Sequence, residues 1–322
     1  MKKISDYRAD IEAAINNLDF PGGRLETLYE PIRYALSAGG KRLRPVLTLM
    51  GADAFGDSIE QATMPAIGIE TFHNFTLLHD DVMDKSEKRR GRPTVHTKFD
   101  ENTAILSGDT MLTLATRYVT AVKDSLLPDV LHAFNDMAIK VYEGQRLDMD
   151  FETLSEISVA EYLQMIEYKT GALLGAAVMI GALIGGASRK DASLMYEYGN
   201  NIGLAFQIQD DWLDTFGDPT TFGKPIGGDI NNGKKTFLYV RALSQNSQTA
   251  EALKAAFQIP AGDVRVKTVT RLYEKMGLAE ICKKEVNHYL AKALKSLNET
   301  EMSDEAKETF REFAEKLIGR KK

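Results

Sequence analysis

Apolar residues recur at helical spacing along almost the whole chain. Between residues 4 and 18, Ile11, Ile15 and Leu18 share one face, the repeat of a half-buried helix. The same reading predicts helices over residues 25–36, 46–54, 58–84, 101–122, 128–148, 159–183, 190–214 and 237–243. Four more are predicted over 248–257, 264–276, 278–297 and 303–318. Breaks fall where glycine and proline gather, at Phe20-Pro21-Gly22-Gly23, Phe55-Gly56-Asp57 and Gly185-Gly186-Ala187-Ser188. Residues 85–98, with Gly91 and Pro93, read as irregular. No run shows a convincing strand alternation, with its period of two. The expectation is an all-α chain.

Two of these helices close on the same acidic pattern. One ends in Leu77-Leu78-His79-Asp80-Asp81-Val82-Met83-Asp84, the other in Gln207-Ile208-Gln209-Asp210-Asp211-Trp212-Leu213-Asp214. Each helical residue turns by about 100°, so Asp80 and Asp84 project from one face, as do Asp210 and Asp214. Asp81 and Asp211 sit to the side. Clustered carboxylates raise one another's pKa, and divalent cations relieve the repulsion. An oxygen donor set without a Cys or His partner set suits a hard ion, Mg2+ first. A single acidic helix end is as readily a solvated surface. Two of them, each closing an apolar run, indicate a site. His79, beside the acids, reads as a packing or hydrogen-bonding residue.

Cations accompany the acids. Ser37-Ala38-Gly39-Gly40-Lys41-Arg42-Leu43-Arg44-Pro45 breaks one helix and opens the next. A helix start with free N–H groups and adjacent Lys and Arg suits a diphosphate. Arg89 and Arg90 follow the first acidic motif at once. Lys169-Thr170 lies in an otherwise apolar helix, where an unpaired lysine is costly and an anion would compensate it. The loop over 218–235 is rich in Gly, Asp and Lys and carries Lys224 and Lys234. Its place just after Asp214 favours a lid over phosphates above a plain surface loop.

Composition narrows the function classes. The 322 residues are 43% hydrophobic and 27% charged, enough for a large core. No linker, low-complexity tract or clear repeat divides the chain, so one domain over 1–322 is expected. The net charge of −6 argues against a nucleic-acid partner. The lone Cys282 excludes an internal disulfide and fits a reducing, cytoplasmic setting. Met1 to Asn17 lacks the apolar core of a signal peptide. The apolar run over 172–184 is short for a membrane span and interrupted by glycines, so no transmembrane segment is expected.

These motifs, in this order, resemble the trans-isoprenyl diphosphate synthases, the polyprenyl synthetase family that includes farnesyl, geranylgeranyl and longer-chain synthases. The likeness runs over nearly the full length and is densest over 34–97 and 144–238. Asp80 to Asp84 resembles the family's first aspartate-rich motif and Asp210 to Asp214 its second. Gly39 to Pro45 resembles its isopentenyl diphosphate site. The resemblance implies a bundle of antiparallel helices around a deep central cavity, usually in a homodimer. It implies Mg2+, three ions per active site and replaceable by Mn2+, held chiefly by Asp80, Asp84 and Asp210, with Asp81, Asp211 and Asp214 assisting. Arg89, Lys169 and Lys234, with Lys224 beside them, would hold the allylic diphosphate. Lys41, Arg44, His73 and Arg90 would hold isopentenyl diphosphate. Thr170 and Gln207 would lie near the developing allylic cation, and Gln145 and Asp148 would support the site. Lys88 departs from the methionine that many relatives carry before the two arginines. The basic tail from Gly319 to Lys322 has no clear counterpart.

The family reaction needs no Ser, Cys or His nucleophile, and no such arrangement is apparent. A class I terpene cyclase also ionises a diphosphate, but one substrate leaves no use for Lys41 and Arg44. A non-catalytic subunit would not need six motif carboxylates. Product length in the family is gated by the fifth residue before the first aspartate. Here that is Phe75, beside Thr76, and the combination resembles synthases that stop at C20, with C15 as the near alternative. An ideal helical wheel turns Phe75 away from the face of Asp80 and favours Thr76 and Phe72 as wall residues.

Overall fold

The structure is a computed structural model that describes residues 1–56, 58–218, 226–245 and 247–319. Lys224 and the last residues of the basic tail therefore lie outside the described residues. In chain order the first elements are α1 (Ile4–Asn16), α2 (Glu26–Leu36), α3 (Leu43–Gly56) and α4 (Ile59–Met83). A small hairpin of β1 (Lys88–Arg89) and β2 (Arg92–Pro93) follows. Next come α5 (Val95–Lys98), α6 (Glu101–Val119), α7 (Leu127–Thr153), α8 (Val159–Ile166), α9 (Ala172–Gly185) and α10 (Arg189–Phe216). The chain closes with α11 (Gly228–Asn231), α12 (Phe237–Leu243), α13 (Ser247–Phe257), α14 (Asp263–Lys275), α15 (Leu278–Asn298) and α16 (Asp304–Ile318).

The periodicity is answered by helices throughout, with differences at particular points. Helix α3 opens at Leu43, not Val46, so Arg44 and Pro45 lie in its first turn, where a proline loses no helical hydrogen bond. Helix α7 continues past Asp148 to Thr153. The helix expected over 159–183 is interrupted by a π-helical turn, Glu167–Gly171. Residues 85–98 are not wholly irregular: each hairpin strand is two residues long, below what an alternation of two can register. Side chains mark several starts. Asp100 accepts from the N–H of Thr103 at 2.8 Å. Ser158 and Glu161 form a reciprocal capping box before α8. Thr236 and Ser303 cap α12 and α16.

Chain contacts fall into two units. The first comprises Met1–Asn135 and Ala176–Ser193. Its centre is α4, which packs against α6 and α3 and is buried on most sides from Ala62 to Asp81. A helix apolar all round is the kind that a core surrounds. Small residues bring its neighbours close. A side chain on Gly68 would lie 2.7 Å from the backbone nitrogen of Val119. Where α3 crosses α9, one on Gly51 would lie 2.7 Å from the Val178 carbonyl, and one on Gly181 would strike that of Thr48.

The second unit comprises Asp136–Gly175 and Leu194–Lys322. Its core gathers Tyr162, Ile208, Phe237, Leu253, Tyr273 and Cys282. Burial raises the Cys282 thiol pKa well above its ordinary value, with the nearby Asp211 and Glu285 charges adding to it. A thiol held protonated in this way is structural rather than reactive. Tyr198 donates to the carbonyl of Phe310 at 2.7 Å and fixes α16 to α10.

The backbone contact of α3 with α9 is testable. Gly181→Ala should cost about 1–3 kcal/mol, the usual penalty for overpacking. Urea denaturation measures it, and an unchanged midpoint would contradict so close a crossing.

Candidate active site

In the first unit, α4 ends in a way that turns the chain back on its acids. The N–H of Ser86 donates to the Asp81 carbonyl at 2.9 Å and that of Lys85 to Val82 at 3.2 Å, the paired bonds of a Schellman motif. Lys85 takes the left-handed position, with φ of 51°, that glycine usually fills. The hairpin then returns, pairing Arg89 with Arg92. Its two-residue turn, Arg90-Gly91, has φ of 53° and 77°, both positive as a type I′ turn requires. Arg89 is thereby brought beside Asp81. Its Nε lies 2.9 Å from both carboxylate oxygens, and its Nη2 lies 2.8 Å from Oδ1.

Arg90 reaches in the other direction, donating to the carbonyl of Gly39. A side chain on Gly40 would lie 2.8 Å from the Arg90 guanidinium, so glycine leaves the room that this arginine uses. Arg44 Nη1 lies 3.2 Å from His73 Nε2. Burial, then the Arg44, Arg90, Arg89 and Arg42 charges, holds the His73 pKa well below its ordinary value. The ring is neutral at physiological pH and can accept from Arg44. Desolvation lowers Arg44 itself to about 10, so it stays charged. Its Nε is buried without a hydrogen-bond partner among the described residues, a donor that an anion would satisfy. Lys41 is exposed just before it. Asp80 is half-buried and Asp84 exposed. A crevice in this unit is lined by Tyr34, Leu77, Asp81, Arg89, Arg90 and Arg92.

The chain-length candidates form an aromatic stack on α4. Phe75 is buried, its ring centroid 5.6 Å from Phe72 and 4.8 Å from His79. Phe72 packs edge-on against Phe134 at 5.4 Å. Thr76 donates its hydroxyl to the His73 carbonyl at 2.9 Å. His79 itself packs over Gly108, with Nε2 3.2 Å from the Ile105 carbonyl.

In the second unit, the π-helical turn carries Lys169 and Thr170. Gly144 allows the approach, since a side chain there would lie 2.8 Å from the Lys169 Cα. Lys169 Nζ is paired with Asp148 at 2.5 Å, which answers the cost of a lysine in an apolar helix. Gln145 follows Gly144, and its buried Oε1 has no hydrogen-bond partner among the described residues. Thr170 donates to Gln207 Oε1 at 3.3 Å, and Gln207 Nε2 donates to Asp211 at 3.2 Å.

Asp211 is buried and accepts from three protein donors. Tyr162 OH donates to it at 2.5 Å and the Phe237 N–H at 2.8 Å. Burial, with the Asp229 charge, raises its pKa to about 7 despite these bonds. Asp214 accepts from the Asp229 N–H at 2.9 Å, and its carbonyl accepts from Gly227 at 2.7 Å. The loop after the second motif is thus anchored to that motif. Lys234 is exposed, and its N–H bonds to the Asp229 carbonyl at 2.9 Å.

No three acidic, imidazole or thiol groups converge into a ready metal cage among the described residues. The donor set still fits Mg2+, which takes one or two carboxylates and shares the rest of its shell with water and substrate phosphate. In the first unit Arg89 engages both oxygens of Asp81, and in the second three protein donors reach Asp211. Sequence reasoning missed Tyr162, Glu12 and Glu70. For Glu70 a signal existed: an acid within an apolar helix, one turn before Asn74, has to be paired.

Comparison with known proteins agrees with this chemistry. Residues 25–276 match the family model described as Polyprenyl synthetase. The geranylgeranyl diphosphate synthase of Methanosarcina mazei is 38% identical over 270 residues, 83% of each chain. The geranylfarnesyl diphosphate synthase of Aeropyrum pernix is 42% identical over 219 residues, 66% of this chain and 69% of that one. A crystal structure of a geranylgeranyl pyrophosphate synthase superposes with a TM-score of 0.92 at 41% identity, covering 100% of both chains. The chain has the all-α isoprenoid synthase fold and belongs to the polyprenyl synthetase family.

Proposed function

We propose that this protein is a Mg2+-dependent trans-prenyltransferase that condenses isopentenyl diphosphate with an allylic diphosphate, releasing pyrophosphate and a prenyl chain one unit longer. The observation that carries the reading is Arg44 beside neutral His73, with a buried guanidinium donor left open for an anion. A one-substrate cyclase has no use for a second anion site, so chain elongation accounts for more of the structure.

The residues divide the work by charge. Lys41, Arg44, His73 and Arg90 bind isopentenyl diphosphate. Arg89, Lys169 and Lys234 bind the allylic diphosphate, and Lys169 exchanges Asp148 for it. Lys224 is assigned to the same group on sequence alone. Asp80, Asp84 and Asp210 hold Mg2+, with Asp214 as support, and Asp81 and Asp211 hold the frame. When bound, Mg2+ (three ions, replaceable by Mn2+) neutralises the diphosphate and makes pyrophosphate a better leaving group. The allylic C–O bond then breaks, the isopentenyl double bond attacks the cation to form a C–C bond, and a proton leaves for pyrophosphate. Thr170 and Gln207 turn hydroxyl and amide oxygens toward the developing positive charge. The relatives' names favour a C20 product, with C25 as a neighbour; C15 is the alternative on sequence alone. Exposed Ile105 and Leu106 on α6 support a homodimer. The segment Val159–Gly185 is long and apolar enough to cross a membrane, but 78% of its most apolar window is buried. That burial and the single cysteine fit action in the cytoplasm.

Three experiments test this reading. Asp80→Ala and Asp210→Ala should each lower turnover by about two orders of magnitude or more, because electrostatic groups act on the transition state, while circular dichroism stays unchanged. Full activity in excess chelator would sink the mechanism. In steady-state assays Arg44→Ala should chiefly raise KM for isopentenyl diphosphate, and Lys169→Ala that for the allylic substrate; equal effects on both substrates would remove the two-site assignment. Chromatography of products primed with farnesyl diphosphate should give C20 from the wild type and longer chains from Phe75→Ala. Wild-type products of C30 or beyond would refute the gate, and an unchanged Phe75→Ala product would transfer it to Thr76 or Phe72.

A further inference from the structure

Arg42 stands where local physics would not put an arginine. Its carbonyl accepts the helical bond from Val46 at 3.1 Å, so it occupies the capping position of α3. Residues there are usually extended, with a short side chain that accepts from the helix N–H groups. Arg42 has a φ of 51°, a region unfavourable to any residue but glycine, asparagine or aspartate. Its guanidinium offers only donors, so it cannot cap. It is also 3% exposed, and a buried cation is tolerated only with partners.

Those partners tie three helices to one turn. Nε and Nη2 reach the Glu12 carboxylate on α1 at 3.0 and 3.3 Å. Nη1 reaches Glu70 on α4 at 2.7 Å, and Nη2 reaches the Leu36 carbonyl at the end of α2 at 2.7 Å. Asn74 supports Glu70, its Nδ2 lying 3.2 Å from the same carboxylate oxygen. Desolvation pulls the guanidinium down, but the Glu12 and Glu70 bonds and charges outweigh it, and the Arg42 pKa stands above its ordinary value. The Glu70 charge also opposes the lowering of Arg44 and Arg90. The turn is held from outside as well: Arg8 donates to the Gly40 carbonyl at 3.0 Å, and Arg90 to that of Gly39.

We infer that Arg42 is a positioning residue for the isopentenyl diphosphate site: clamped by Glu12 and Glu70, it fixes the turn 39–44 so that Lys41 and Arg44 meet one anion. Arg42 does not touch substrate. Its carboxylate partners consume its charge, leaving its two neighbours to bind. The inference rests on the prenyltransferase reading above.

The test uses Arg42→Gly and Glu12→Gln in the full chain, with wild type alongside, in two-substrate kinetics and thermal melts. Glycine relieves the backbone but removes the clamp and leaves Glu70 buried without its cation, so the melting temperature should fall. If Arg42 served stability alone, a folded Arg42→Gly would leave the kinetics unchanged. We expect instead a rise in KM for isopentenyl diphosphate of about tenfold or more, with the allylic KM and kcat within about twofold. Glu12→Gln leaves the Glu70 pair intact and should raise the same KM by about threefold. It decides the matter if Arg42→Gly does not fold. An unchanged isopentenyl KM in a folded variant, or an equal rise for both substrates, overturns the inference. A wild type that does not elongate an allylic diphosphate at all overturns the functional reading itself.

Discussion

Helix α4 is enclosed by its neighbours for most of its length, so its polar groups have to be satisfied within the protein or at its exposed end. That constraint shapes the first unit. Glu70 lies in the buried stretch and is answered by Arg42 and by the Asn74 amide one turn on. Asp81 is buried at the last turn and is answered by Arg89. Removing one partner of such a pair leaves an uncompensated buried charge, typically worth about 3–5 kcal/mol. These cations therefore belong to the folded architecture. Asp80 and Asp84 in the same motif lie nearer solvent.

The second unit solves the same problem with neutral donors. Asp211 is held by a phenol, an amide side chain and a backbone N–H instead of an arginine. The two motifs look alike in sequence, yet their middle carboxylates are satisfied by different chemistry. In the first, a counter-charge keeps the site electrically balanced. In the second, hydrogen bonds spread over α8, α10 and α12 set the position of Gln207, and through it that of Thr170.

Much of this was legible in the sequence. The helical repeat located nearly every helix, because an amphipathic face is a local property that burial reads directly. The acidic motifs, Arg44, His73 and Lys169 stood out because charge in an apolar setting needs an explanation. Less legible was whatever depends on a partner far along the chain. The π-helical turn at Glu167–Gly171 lies where Asn200 and Leu204 come close to Gly171, partners that its own composition does not show. The hairpin is too short to show a period. The hydrogen bonds of Asp81 and Asp211 depend on Arg89 and Tyr162, and no spacing rule reveals partners that far along the chain. Phe75 illustrates the same limit: the wheel gives its direction, but only the rings of Phe72, His79 and Phe134 show what surrounds it.

Among the described residues, the non-glycine positions with left-handed backbone are Arg42, Lys85 and Arg90. All three are basic, and all three lie in the turn 39–44 or just after the first acidic motif. Each costs about 1–2 kcal/mol relative to glycine. Directed evolution for heat tolerance would be drawn first to Lys85 and Arg90, which are exposed, because glycine there relaxes the chain without disturbing a core. Such a screen, run without a turnover assay, would select stable proteins stripped of positive charge beside the first acidic motif. Durability and catalysis compete in this molecule at a few identifiable backbone angles.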